Sequence, residues 1–173
     1  MNTSAELLIR FADLDDIPTI GYLAQQIWPS TYGEILTEEQ LNYMLDLMYS
    51  PDTLTEQMTQ QRQRFLIAEL DEDAVGFASY GITEDEGVFK LHKIYVHPKT
   101  QGSGVGRALL DFVMEQVIEE GATTLRLNVN RNNKARNFYE KQGFIVTKEE
   151  DIEIGNGYQM NDYVMEKPLR KAD

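Results

Sequence analysis

Apolar residues fall along this chain in two rhythms. Near the start, Leu7, Ile9 and Phe11 alternate with Leu8 and Arg10, the period of a short strand. Ile17, Ile20, Ala24 and Ile27 then recur at helical spacing, behind Asp13, Asp16 and Pro18, residues that favour a helix start. Trp28-Pro29 is expected to end that helix, leaving a loop through Ser30, Thr31, Tyr32 and Gly33. A second helix is predicted from Thr37, with Gln40 completing a capping box and Leu41, Met44, Leu45 and Met48 buried. Ser50-Pro51 opens a third, carrying Leu54 and Met58. From Phe65 the rhythm turns to strands. Phe65 to Leu70, an acidic turn at Asp71-Glu72-Asp73, and Ala74 to Ile82 read as a hairpin.

The stretch from Lys90 to Leu110 is the one the rest is arranged around. Ile94-Tyr95-Val96 suits a buried strand, and His97-Pro98 stops it, because proline has no amide for the ladder. A glycine-rich turn follows, Gln101-Gly102-Ser103-Gly104-Val105-Gly106. Behind it Val105, Leu109, Phe112 and Val117 form the apolar face of a helix, with Asp111, Glu115 and Glu119 opposite. A strand feeding such a turn is an anion cradle. The first helical amides have no intrahelical acceptor, and the helix dipole is positive there. A Rossmann fingerprint would need glycine where Arg107 stands, and the G-K-[ST] of a Walker loop is absent. The turn alone points to a phosphate ligand without naming it, and a tight strand-to-helix connection reads the same way.

A further strand is predicted over Thr124 to Val129. Asn132 is expected to cap a short helix bearing Ala135, Phe138 and Tyr139, which Gly143 ends as a left-handed cap. Phe144 to Ile154 and Tyr158 to Met165, joined at Gly155-Asn156-Gly157, close the chain as a second hairpin. No repeat, linker or low-complexity segment interrupts the pattern.

Two segments together carry a resemblance. Gln101, Gly104 and Gly106 fit [QR]-x-x-G-x-[GA]. Asn132, Ala135, Phe138, Tyr139, Glu140, Lys141, Gly143 and Phe144 fit N-x-x-A-x-x-[FL]-Y-E-K-x-G-F. In this order and spacing the chain resembles the GNAT superfamily of acetyl-coenzyme A-dependent N-acetyltransferases, strongly over Lys90 to Phe144 and in outline on the flanks. The resemblance implies an α/β (α+β) fold, a mixed, mostly antiparallel central sheet flanked by helices, in one domain over residues 1–173. It implies acetyl-CoA as donor substrate and no metal. Main-chain groups of Ile94, Tyr95 and Val96 would pair with the pantetheine arm as an added strand, with the Val96 amide on the thioester oxygen. Amides of Gln101, Gly102, Ser103, Gly104, Val105, Gly106 and Arg107 would hold the diphosphate, and Asn132 would reach the pantetheine. Tyr139 is the implied general acid for the departing thiolate. Relatives often place a glutamate base where Lys90 stands. His92 lies on the same strand face and is the candidate in its place, with glutamates of the N-terminal half as alternatives and a merely satisfied or exposed histidine also open.

Composition narrows the classes. The chain has 173 residues, 42% hydrophobic and 26% charged, ordinary for a folded domain. With no cysteine, disulfides, thiolate metal sites and a cysteine acyl-enzyme are excluded, so acyl transfer would run directly in a ternary complex. Two histidines leave little for a histidine-rich metal site. No apolar run is long enough to span a membrane, and Met1 to Arg10 lacks a basic start, so a cytoplasmic protein is expected.

The net charge of −13 argues against a nucleic-acid partner. It is unevenly spread: residues 1–89 carry 3 Lys/Arg against 17 Asp/Glu, whereas residues 90–145 carry 9 against 5. Solvated faces account for much of this. The acidic half supplies the acceptor side in the implied fold, where Trp28 and Tyr32 could pack on an alkylammonium. That segment also looks like bacterial spermine/spermidine acetyltransferases. A small-molecule amine, a polyamine in particular, is the expected acceptor. A protein N-terminus or lysine, or a non-catalytic acyl-CoA-binding role, are the alternatives. Acyl length and pairing as a homodimer stay open.

Overall fold

A computed structural model describes residues 6–169; the opening Met1 to Ala5, read above as part of a segment without a basic start, lies outside them. The strands are β1 (Leu7–Phe11), β2 (Arg64–Leu70), β3 (Asp73–Ile82), β4 (Val88–Val96), β5 (Thr124–Asn130), β6 (Ile145–Gly155) and β7 (Tyr158–Pro168). The helices are α1 (Ile17–Tyr32), α2 (Glu38–Tyr49), α3 (Pro51–Thr59), α4 (Val105–Glu119) and α5 (Ala135–Lys141). The sheet has seven strands in the order β1-β2-β3-β4-β5-β7-β6. Only β4 and β5 run parallel. This is the mixed, mostly antiparallel sheet that the sequence implies. Among the described residues no helix is long and apolar enough to cross a membrane.

Each face of the sheet buries its own core. Leu109, Val113 and Val117 of α4 pack on Leu66, Ala78, Leu91, Leu125 and Leu127. On the other face α1, α2 and α3 bring Ile20, Ile27, Trp28, Met44 and Leu54 onto Phe65, Ile67 and Phe77. Local signals set most element ends. Thr37 accepts from the Gln40 amide, and Ser50 accepts from Thr53 ahead of Pro51. The Gln40 side chain turns away to the Gln159 carbonyl at 3.2 Å, so the expected reciprocal capping box is only half made.

Two further expectations fail. α1 does not stop at Trp28-Pro29 but runs through Pro29 to Tyr32. A proline inside a helix costs about 3 kcal/mol. Here burial of Trp28 and Tyr32 on one stripe, their rings 4.7 Å apart, opposes that cost. Pro29 itself faces solvent. The second failure is the α5 cap. Asn132 is exposed, and Asn133 supplies the side-chain oxygen, accepting from the Ala135 amide at 2.9 Å.

Candidate active site

The site begins where a ladder ends. β4 and β5 pair from Val88–Thr124 only as far as Leu91–Leu127. At that point β4 carries a bulge: Ser79 of β3 faces Lys93, while the next residue, Tyr80, faces Leu91, so His92 is the extra residue. The bulge reverses the pleat. Phe89 and Leu91 before it, and Ile94 and Val96 after it, all meet the α4 core, while Tyr95 packs into the opposite one. Beyond the bulge the two strands diverge around a cavity of about 760 Å³, a volume suited to a small-molecule arm.

Main-chain groups face that gap. The His97 amide donates to the Val75 carbonyl at 2.7 Å. Hydrogen-bonded pairs alternate in an antiparallel ladder, so Tyr95 also bonds toward β3, and the N–H and C=O of Ile94 and Val96 turn to the cavity. An extended acyl-pantetheine can bond to those groups as a strand would.

At the mouth, Gly104 sits at φ 87°, ψ 4° as the residue before α4, with no side chain capping the helix. The first amide to find an intrahelical acceptor is that of Ala108, on the Gly104 carbonyl. The amides of Val105, Gly106 and Arg107 are therefore left for an anion. Gly104 is needed for its left-handed backbone rather than for space, since an added Cβ there would meet nothing within 4 Å. Of the residues expected to bind the cofactor, Ile94, Tyr95, Val96, Gln101, Gly102, Gly104, Val105, Gly106, Arg107 and Asn132 line the cavity. Ser103 does not; its hydroxyl donates to the Thr100 carbonyl. Arg107 is mostly exposed, 3.9 Å from Asp111, and Lys134 joins it on the wall.

Tyr139 of α5 packs its ring against Phe138 and Phe144, with centroids at 5.4 and 5.8 Å, and lines the cavity. Burial, then the nearby Tyr32 phenol, pushes its pKa up, so it holds its proton throughout the neutral range. Across the cavity the Tyr32 and Tyr95 hydroxyls are bonded at 2.9 Å. Tyr32, the last residue of α1, lines the cavity. Trp28 does not: it is 2% exposed, enclosed by Tyr32, Tyr49 and Tyr95, and supports the wall from behind. Trp28, expected as a substrate contact, does not line the cavity, because it lies on the buried stripe of α1 with Ile20, Ala24 and Ile27.

His92 reaches the cavity and Lys90 does not. Burial, then Lys90 and Lys93, holds the His92 imidazole down to about 4, so at neutral pH it is uncharged and accepts hydrogen bonds. Lys93 is unusual among the wall residues. Its Nζ lies over the rings of Phe65 and Tyr49 at 5.4 and 5.7 Å and donates to Gln57 Oε1. Burial and then Lys90 bring its pKa down to about 8. Sequence reasoning passed over Lys93, Asn128 and Asn133 and did not single out Glu34 among the N-terminal glutamates; all four are on the cavity wall. The bulge that aims Lys93 leaves no mark in the strand's composition; Asn133 takes a variable position of the second motif, and Asn128 lies four residues before it on β5.

The acetyltransferase (GNAT) domain family matches residues 34–167. A spermidine N(1)-acetyltransferase of Thermoplasma acidophilum is 27% identical over 164 residues, covering 92% of this chain and 95% of the relative. An uncharacterised N-acetyltransferase of Mycobacterium bovis is 29% identical over 157 residues, 90% of this chain and 99% of its own. Among solved structures, the PaiA N-acetyltransferase of Thermoplasma acidophilum in complex with coenzyme A superposes with a TM-score of 0.81 at 27% identity, covering 95% of this chain and 99% of that one. A diphosphate-ready helix start, a free strand edge beside a split sheet, and a family match over most of the length converge: the chain belongs to the GNAT family and is an N-acetyltransferase with acetyl-CoA as its donor.

Proposed function

We propose that the acceptor is a primary amine of a small cationic molecule, of the polyamine class, and that the acetyl group passes to it directly in a ternary complex. The observation that carries this reading is the polarity of the cavity. Its mouth is cationic and amide-rich, around Val105 to Arg107 and Lys134, whereas the loop after α1 brings Glu34 of the acidic N-terminal half to a wall whose lysine, Lys93, has its pKa held down to about 8 by burial. The likeness to a spermidine N(1)-acetyltransferase supports the same class.

In this reading the Val96 amide polarises the thioester carbonyl, and the amine nitrogen attacks its carbon. The C–S bond breaks as the C–N bond forms. Tyr139 gives its proton to the leaving thiolate, and the ammonium proton leaves through water held by the neutral His92. With no cysteine in the chain, no thioester-linked enzyme intermediate can form.

The test compares kcat/KM for spermidine and for a neutral-bodied monoamine at low and high ionic strength, with release of free CoA thiol as readout. Spermidine is expected to be preferred at low salt, with a margin that narrows as salt screens the cavity. Equal use of both amines at every ionic strength overturns the polyamine class.

A further inference from the structure

The sheet face shared by β5, β7 and β6 beside the cavity is not apolar. Asp162 of β7 stands opposite Asn130 and Glu150 and diagonal to Asn128. Asn128 lines the cavity, and its Nδ2 donates to both carboxylates behind it, Glu150 Oε2 at 3.2 Å and Asp162 Oδ2 at 3.3 Å. Ionised carboxylates only accept, so the amide can face them only with its NH₂, and its carbonyl oxygen points away from them.

Asp162 of β7 is itself buried. It is 2% exposed, yet its Oδ1 has no hydrogen-bond partner among the described residues. Buried carboxylate oxygens are almost always satisfied, and one that is not marks a place where a donor is missing. The neighbouring cations do not supply it. Lys148 pairs with Glu150 at 2.8 Å, and Arg131 bonds the main-chain carbonyl of Asp162 and pairs with Asp151. Lys90, on the adjacent face of β4, feels both carboxylates but forms no ion pair with either among the described residues. Desolvation raises the Asp162 pKa, as a carboxylate without a counter-ion requires.

We infer that Asn128, backed by Asp162 and Glu150, is the docking point for the ammonium group of the acceptor. Asn128 accepts a hydrogen bond from the ammonium through its carbonyl oxygen. Asp162 is a positioning residue: it fixes the Asn128 amide and supplies the negative charge that selects a cation. Lys90 opposes it, setting how strongly a cation is held. This deepens the acceptor reading above and rests on it, naming the wall that makes the choice.

The experiment measures kcat and KM for spermidine, and KM for acetyl-CoA, in the parent, Asp162→Asn and Lys90→Gln. Asp162→Asn should raise the spermidine KM roughly 10–100-fold, since a buried charge partner is lost, with the acetyl-CoA KM within about twofold. Lys90→Gln should move it the other way, lowering the spermidine KM about 3–10-fold by removing a like charge. A merely structural role for these residues would weaken both variants together. Shifts of the same sign, or an Asp162→Asn spermidine KM within about twofold of the parent, overturn the inference while leaving polyamine acetylation standing. If spermidine is no substrate for the parent, the polyamine reading is what fails. The inference then stands or falls on a simple primary alkylamine, whose ammonium must show the same opposite shifts.

Discussion

The mouth of the cavity and its far wall are built by different means. Apart from Lys134 the mouth is one contiguous segment, Ile94 to Arg107, and it offers main-chain amides and carbonyls of a strand edge and a helix start. The far wall gathers Tyr32, Glu34, His92, Asn128 and Asn133 from separate elements, and it works through side chains. Main-chain recognition depends on local backbone shape, which glycine and proline advertise in the sequence. Side-chain recognition depends on which residues the whole fold brings together. A donor common to a family can be held by the first means, while an acceptor has to be chosen by the second.

The sharpest way to test this division is at the residue where the two regions meet. Tyr139→Phe keeps the ring between Phe138 and Phe144 and removes only the hydroxyl. We expect kcat to fall by roughly 10²–10⁴, as for loss of a general acid, while calorimetry shows acetyl-CoA binding nearly unchanged. An unaltered kcat, with chemistry established as the slow step, would take Tyr139 out of the reaction.

At the mouth, Gly104→Glu should act on the donor alone. It forces a side chain onto a left-handed backbone, at about 1–2 kcal/mol, and sets a negative charge beside the amides meant for the diphosphate. Acetyl-CoA affinity should drop by about 2–3 kcal/mol, roughly 30–150-fold, in a chain whose circular dichroism is unchanged. If a folded variant binds acetyl-CoA as well as the parent, the diphosphate is held elsewhere.

The same division explains what could be read before the fold was known. The alternation of β1 to β3, the caps at Thr37 and Ser50, and the Asn156-Gly157 turn are local, and they lie where the pattern places them. So does the strand–turn–helix at the mouth. Most of the failures needed distant partners to decide them. Pro29 ends a helix by local rules, and only the aromatic cluster that Trp28 and Tyr32 join with Tyr49, Phe77 and Tyr95 keeps α1 going. The choice between Asn132 and Asn133 as cap is a one-residue shift within the five polar residues Asn130 to Lys134, which composition cannot resolve. The Asn128–Glu150–Asp162 contact joins residues 22 and 34 apart on three strands, and no local pattern records it.

His92 offers the smallest effect and a test of the far wall's electrostatics. It sits in the β4 bulge with Lys90 and Lys93 on either side of it along the same sheet face, and its pKa is about 4 against an ordinary 6.5. A base that weak is already deprotonated at pH 6, so the imidazole cannot shape activity between pH 6 and 9. His92→Gln should therefore lower kcat less than about tenfold and leave the pH–rate curve in that window the same shape, any acidic limb there belonging to another group, such as the amine acceptor itself. A limb that disappears in the variant would restore His92 as the base. Stability gives the complementary measurement. The folded chain binds the His92 proton less readily than the unfolded chain, so what this residue contributes is fully present above pH 6.5 and is lost as pH falls through about 4. The melting temperature of His92→Gln should thus fall less than the parent's between pH 7 and 4.5. Equal losses would mean that water reaches the imidazole and that the two lysines do not press on it, and the far wall would then be a solvated surface rather than a site that weighs charge.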